Sequence, residues 1–217
     1  MWNKFLLVVM IIFLSLIGLR AQKDSIIFQT DFYIGAQYGI SWNDVQFSPT
    51  IEQKTFNGKR LSFVLRYVSD PHLGLQLELG YDQRGWLETR DTLSSTYSRS
   101  IDYAEMAFYT HISIGNRFIR PVILLGSYLS YPIGEQETYP SEWETPDSYY
   151  GNPLPKRLQF GLAGGVGIEL VPKKSPVSFL IDGRYRTSLG GIFPTKDGFV
   201  FSNSKGFMAQ ISGLYRF

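Results

Sequence analysis

The chain has 217 residues, of which 16% are aromatic and 18% charged, with 21 glycines, no cysteine and a formal net charge of +2. This length suits one domain, and the absence of cysteine excludes disulfides, thiolate metal sites and cysteine nucleophiles. So small a net charge gives nucleic-acid binding no electrostatic support, and an aromatic, glycine-rich, weakly charged composition favours strands and tight turns over helices.

The first stretch carries Lys4, an apolar run from Phe5 to Leu19, then Arg20 and the small residue Ala21. The run is shorter than the ~20 residues of a spanning helix, so residues 1–21 are expected to be a secretory signal peptide cut near Ala21, leaving 22–217 as one exported domain. Loss of Lys4 and Arg20 would leave 19 basic residues against 19 acidic ones, a neutral mature chain.

From there a two-residue period recurs, which is the mark of strands with two different faces. In "DFYIGAQYGISW" Phe32, Ile34, Ala36, Tyr38, Ile40 and Trp42 share one face. In "RLSFVLRYV" Leu61, Phe63, Leu65 and Tyr67 oppose Ser62, Val64 and Arg66. "LGLQLELGYD" alternates without exception, Leu73, Leu75, Leu77, Leu79 and Tyr81 against Gly74, Gln76, Glu78, Gly80 and Asp82. "IDYAEMAFYTHISI" sets Ala104, Met106, Phe108, Ile112 and Ile114 against Glu105, Tyr109, His111 and Ser113. "RPVILLGSYLSY" is apolar on both sides and leaves its facing open. "LQFGLAGGVGIEL" places Phe160, Leu162, Val166, Ile168 and Leu170 opposite small residues and Glu169; "VSFLIDGRYRTSL" opposes Phe179, Ile181 and Tyr185 to Asp182, Arg184 and Arg186. The closing "GFMAQISGLYRF" repeats the period through Tyr215 and Phe217.

Connections alternate between long and short. Residues 43–59, 83–100, 132–157 and 191–205 are long and polar, with Trp86, Trp143 and Thr195 in them, whereas "SDPH", "GNRFIR" and "PKKSP" are tight turns. The pattern predicts an all-β fold: a closed antiparallel up-and-down transmembrane β-barrel of about eight strands in the cell outer membrane, with long loops outside and short turns in the periplasm. Closure pairs the last strand with the first, and lipid covers the apolar stripe from Phe207 to Phe217.

The stretches "DYAEMAFYTHISIGNRFIRPVILLGSYLSYPIG", "FGLAGGVGIEL" and "FLIDGRYRTSLGGI", with the aromatic C-terminus, resemble the PorT-like outer-membrane β-barrel family. The resemblance implies fold and location, and it allows a role accessory to type IX protein secretion, since the family's named member has that role. Tyr215 and Phe217 are similar to the C-terminal signal that the barrel-assembly machinery reads.

An eight-stranded barrel has a lumen just wide enough for side chains. On the inward face stand Arg66, Glu78, Glu105, His111, Glu169, Asp182, Arg184 and Arg186, with Arg84 and Arg216 nearer the ends; paired, they predict a polar plug that fixes register. The alternative is a selective path for small solutes. His111 and Ser113 form a His-x-Ser pair of the kind outer-membrane lipid A deacylases use, a lesser alternative that alternation weakens by pointing His111 into the lumen. Catalysis is otherwise not expected. The acidic, aromatic segment holding Tyr139, Trp143, Tyr149 and Tyr150 is a candidate contact loop for a protein partner outside the cell; the periplasmic face is a second place for one. With two histidines and no cysteine no transition-metal site is expected, and no motif points to a cofactor.

Overall fold

The computed structural model describes residues 30–48, 50–89, 96–115, 118–140, 150–172, 175–193 and 201–217. Among them there is no helix. Nine strands form: β1 (Asp31–Ser48), β2 (Gln53–Lys54), β3 (Phe56–Asp70), β4 (Leu73–Glu88), β5 (Tyr97–Ser113), β6 (Ile119–Thr138), β7 (Gln159–Leu170), β8 (Val177–Gly191) and β9 (Phe201–Arg216). All but the two-residue β2 build the wall. Each wall strand pairs antiparallel with its neighbours, β1 pairs with β9, and β4 pairs with β5, so the sheet closes into an eight-stranded barrel.

Closure runs the length of the seam. The register from Tyr33 opposite Arg216 to Ser48 opposite Phe201 leaves neither edge free, and the Phe217 N–H extends it by donating to Phe32 O at 2.9 Å. The short connections and both ends of the chain of strands lie at one rim, called here the turn end; the opposite rim is the loop end.

The outward face carries a belt of exposed apolar side chains, among them Leu61, Phe63, Leu75, Leu79, Phe108, Leu125, Leu162, Val166, Ile181 and Ile211. Aromatic residues rim it: Phe32, Tyr67, Phe179, Tyr215 and Phe217 toward the turn end, and Trp42, Tyr131, Tyr185 and Phe207 toward the loop end. Trp42 and Phe207 stack across the seam, with ring centroids 5.8 Å apart. β6, whose facing the sequence left open, turns Val122, Leu124 and Tyr128 inward and Leu125, Leu129 and Tyr131 outward.

The expected loops are shorter than their polarity suggested. β1 continues to Ser48, β4 to Glu88 and β6 to Thr138, while β5 begins at Tyr97 and β9 at Phe201. The physical reason is that the two-face pattern inverts above the belt. There Asp44 and Gln46 on β1, Gln83 on β4 and Ser98, Ser100 and Asp102 on β5 alternate with buried Val45, Phe47, Trp86, Tyr97, Ile101 and Tyr103. A wall leaving hydrocarbon for water must exchange an apolar outside for a polar one, and its interior then becomes the place to bury apolar groups. Trp86, expected in an outer loop, is on β4 and fully buried. Trp143 and Thr195 lie outside the described residues, as does the expected signal peptide, residues 1–21.

Candidate functional site

Three layers fill the barrel. In the middle, β3, β4, β5, β7 and β8 alternate so that every second residue enters the lumen, and five arginines meet five carboxylates there. Arg60 bonds Glu78 at 2.8 Å and Glu105; Arg184 Nη1 bonds Glu78 at 2.8 Å and Arg184 Nε bonds Asp182 at 2.7 Å; Arg84 bonds Asp82 at 2.5 Å and Glu105; Arg186 bonds Asp82; Arg66 bonds Glu169. All ten side chains are buried. Buried charge is tolerated when it is paired and its remaining lone pairs and protons are bonded. Here Gln76 joins Arg66 (2.8 Å) to Glu78 (2.6 Å), Ser130 donates to Glu105 (2.9 Å), Gln210 donates to Asp182 (3.1 Å), and Asn43 accepts from Arg186 (2.9 Å). Aromatic faces cover the guanidiniums: Arg184 lies 4.3 Å from the centroid of Tyr109, and Arg84 lies 4.7 Å from Tyr103 and 4.9 Å from Tyr128.

Glycines on β7 make this filling sterically feasible. A Cβ on Gly161 would stand 2.3 Å from Tyr128 Cζ, and one on Gly165 would stand 2.7 Å from Arg184 Cγ.

Toward the loop end the interior is apolar. Val45, Phe47, Trp86, Tyr97, Ile101, Tyr103, Leu154, Ile192 and Phe193 form one buried cluster, with Tyr150 packed against it. Arg99 crosses it between Trp86 (5.8 Å) and Phe193 (5.3 Å), bonding Glu135 at 2.5 Å, Glu137 at 2.7 Å and the Asn152 carbonyl at 2.6 Å. Leu154 N–H donates to Glu135 at 3.0 Å, and Tyr150 donates to Glu88 at 2.6 Å. The segment after Tyr150 is thereby drawn over the mouth of the barrel. β1 and β3 part company above Asn43, and the Gln53 side-chain amide takes the place of a strand, accepting from Val45 N (3.2 Å) and donating to Val45 O (2.7 Å).

The structure places the sequence-predicted lumen residues Arg66, Glu78, Glu105, His111, Glu169, Asp182, Arg184 and Arg186 inside the barrel and buried. His111 sits below the main network, its Nε2 3.9 Å from Glu169, too far for a hydrogen bond. Ser113 Oγ donates to Pro71 O at 3.0 Å, and no hydrogen bond joins it to His111. Arg60, Asp82 and Arg99 are further members that sequence reasoning passed over. Arg60 has the parity of Ser62 and Arg66, and Asp82 that of Glu78, so alternation alone could have found both. Arg84 is central rather than terminal because β4 runs on to Glu88.

Of the candidate contact loop, Tyr139 is exposed and donates to Glu137, while Tyr150 is turned inward; Trp143 and Tyr149 lie outside the described residues. Desolvation and the bond to Glu137 raise the Tyr139 phenol above its ordinary pKa, keeping it a neutral donor. Tyr215 and Phe217 face outward at the turn end, ring centroids 5.3 Å apart. Among the described residues no group of three or more histidine or carboxylate side chains stands close enough to hold a metal ion.

No curated protein sequence matches the chain. Among solved structures it is similar to the outer membrane protein OprG from Pseudomonas aeruginosa, at 14% identity over 86% of this chain and 95% of that one, with a TM-score of 0.57. It is also similar to the attachment invasion locus protein Ail of Yersinia pestis, at 18% identity over 88% of this chain and 100% of that one, with a TM-score of 0.48. The OprG likeness is one of fold. A family model for the outer membrane protein beta-barrel domain matches residues 20–194. With a closed eight-stranded wall, an apolar belt and that match, the chain belongs to the outer membrane protein beta-barrel domain family.

Proposed function

We propose that this outer membrane protein is a sealed, structural or partner-binding barrel and that it conducts no solute. The observation that carries the reading is the balanced, buried network of five arginines and five carboxylates across the lumen, with an apolar cluster above it. A hydrated path would have to break pairs that have little water to replace them. Purified protein in planar bilayers is expected to give no discrete conductance steps. Reproducible openings from the wild-type chain would overturn the reading in favour of selective solute passage.

The proposal includes an orientation: turn end in the periplasm, loop end outside, as long and short connections alternate. It also includes export by residues 1–21, so that the N-terminus of protein from the outer membrane should read Gln22. Partner contact is then assigned to the outer rim around Tyr139 and the neighbouring segment with Trp143 and Tyr149, or to the periplasmic face. The resemblance to PorT-like barrels supports one setting for such contact, accessory to type IX secretion. Deletion of the gene should then reduce export of type IX cargo; unchanged export would remove that setting and leave the sealed barrel standing. A lipid-modifying role for His111 and Ser113 draws no support from a serine bonded to Pro71 and a histidine that does not reach it.

A further inference from the structure

At the loop end of the β1–β9 seam the outer surface carries an open trough of about 520 Å³. β1 runs along it with Asp44, Gln46 and Ser48; Lys205 of β9 stands on one side, and Thr50 and Thr55, which precede β3, stand on the other. The trough exists because β1 and β3 pair only as far as Asn43 opposite Phe56. Beyond that point the segment leading into β3 stands off from β1, and the Gln53 amide bridges the gap.

Two of its groups are unspent. Asp44 and Lys205 are direct partners in the β1–β9 register and carry opposite charges on one face, yet among the described residues neither forms an ion pair or a side-chain hydrogen bond, with the other or with any third group. Opposite charges set directly across two strands ordinarily meet. Both side chains are half-buried, so bulk water does not surround either of them.

The residues below fix where this pair sits in the bilayer. Two positions down each strand Trp42 and Phe207 are again direct partners with stacked rings, and beneath them Ile40 faces Ala209 and Tyr38 faces Ile211. An aromatic rim marks the headgroup level and the apolar column under it marks hydrocarbon. The trough therefore begins at lipid headgroups, in line with a column that an acyl chain covers.

The two charges narrow the headgroup. A purely anionic one would satisfy Lys205 but set a second negative charge beside Asp44, and a neutral sugar would answer neither. A headgroup with both a phosphate and an ammonium answers both, the phosphate at Lys205 and the ammonium at Asp44. A primary ammonium has three N–H donors, for which Asp44, Gln46 and Ser48 offer side-chain oxygens along one strand, whereas a trimethylammonium has none. The volume suits one small group and not a polymer.

We infer that the trough holds the headgroup of a single bilayer lipid carrying a phosphate and a primary ammonium, its chains lying on the apolar column below Trp42 and Phe207. The inference goes beyond a sealed barrel and is independent of it and of its orientation, since the site is on the outer surface and a bilayer presents headgroups at both rims.

The test uses the full folded chain in detergent micelles, titrated with phosphatidylethanolamine, phosphatidylcholine or phosphatidylglycerol of identical acyl chains, with bound lipid counted by native mass spectrometry. One phosphatidylethanolamine should be retained at least about tenfold more tightly than either of the others. Asp44→Asn should abolish the preference for phosphatidylethanolamine over phosphatidylcholine, and Lys205→Gln should weaken retention of both. Neither residue belongs to the lumen network or the apolar clusters, so both variants should fold as the wild type does, read by the heat-modifiable gel shift. Lys156→Gln, an exposed loop-end lysine outside the trough, should change nothing. Equal retention of phosphatidylethanolamine and phosphatidylcholine, tightest retention of phosphatidylglycerol, an unaltered preference in Asp44→Asn, or an equal loss in Lys156→Gln and Lys205→Gln would each overturn the inference.

Discussion

Arg184 Nη1 and Glu78 Oε1 meet at 2.8 Å inside the lumen although 106 residues separate them in the chain, and neither side chain has any exposure. The pair bridges β8 and β4, which are not neighbours in the wall, so it fastens the barrel across its diameter, where backbone hydrogen bonds cannot reach. Glu78 also bonds Arg60, and Arg184 also bonds Asp182, so this contact joins the two halves of the network.

Arg184→Ala is therefore expected to leave Glu78 short of one partner and Asp182 facing a void, at a cost of about 3 to 5 kcal/mol. The double variant Arg184→Met with Glu78→Gln should recover part of that loss. Urea titration of the folded barrel, read by its heat-modifiable gel shift, measures both. An Arg184→Ala barrel as stable as wild type would mean that the lumen is hydrated.

The apolar cluster at the loop end should matter as much as the ion pairs. Trp86→Ala removes the side chain on which Phe47, Phe193 and Arg99 converge, at an expected cost of about 3 to 5 kcal/mol. Trp42→Ala, on the outward face, should cost much less because lipid refills the space. The same unfolding assay ranks them; equal losses would contradict the inward assignment of Trp86.

Orientation can be read by labelling. Gln46→Cys and Thr138→Cys occupy exposed positions at the loop end and should react with an impermeant maleimide on intact cells, while Ser69→Cys at the turn end should react only after permeabilisation. The reverse pattern would invert the proposed topology.

Assembly and stability should separate on β9. Phe217→Ser removes an outward aromatic from the strand that closes the seam, and should lower the yield of folded barrel in the outer membrane. Met208→Ser alters a buried lumen residue and should reach the membrane in better yield but unfold more easily. Fractionation with a protease-resistance assay compares yields. Equal yields would make Phe217 an ordinary lipid-facing residue and not part of an assembly signal.

Much of this architecture was legible from alternation. The pleat sends successive side chains to opposite faces, so parity within one strand is a local property: Glu78 and Gln76 share a face whatever surrounds them, and an unbroken run such as Leu73 to Tyr81 admits no helix. Strand identity, the barrel class and the inward lumen residues followed from that. Reading stopped where the solvent on the outward face changes. Val45, Phe47 and Trp86 are apolar residues on the inward parity, and from composition alone their polar neighbours looked like loop. Partner choice was out of reach for a different reason. Whether Arg184 meets Glu78 or Glu105 depends on strand register and on how the closed wall sets opposite strands against each other, and neither quantity is encoded in the spacing of residues along one strand. The turn end is the extreme case: Arg66 and His111 stand on β3 and β5, and only closure of the barrel brings them to line one cavity with Arg120 and Arg216.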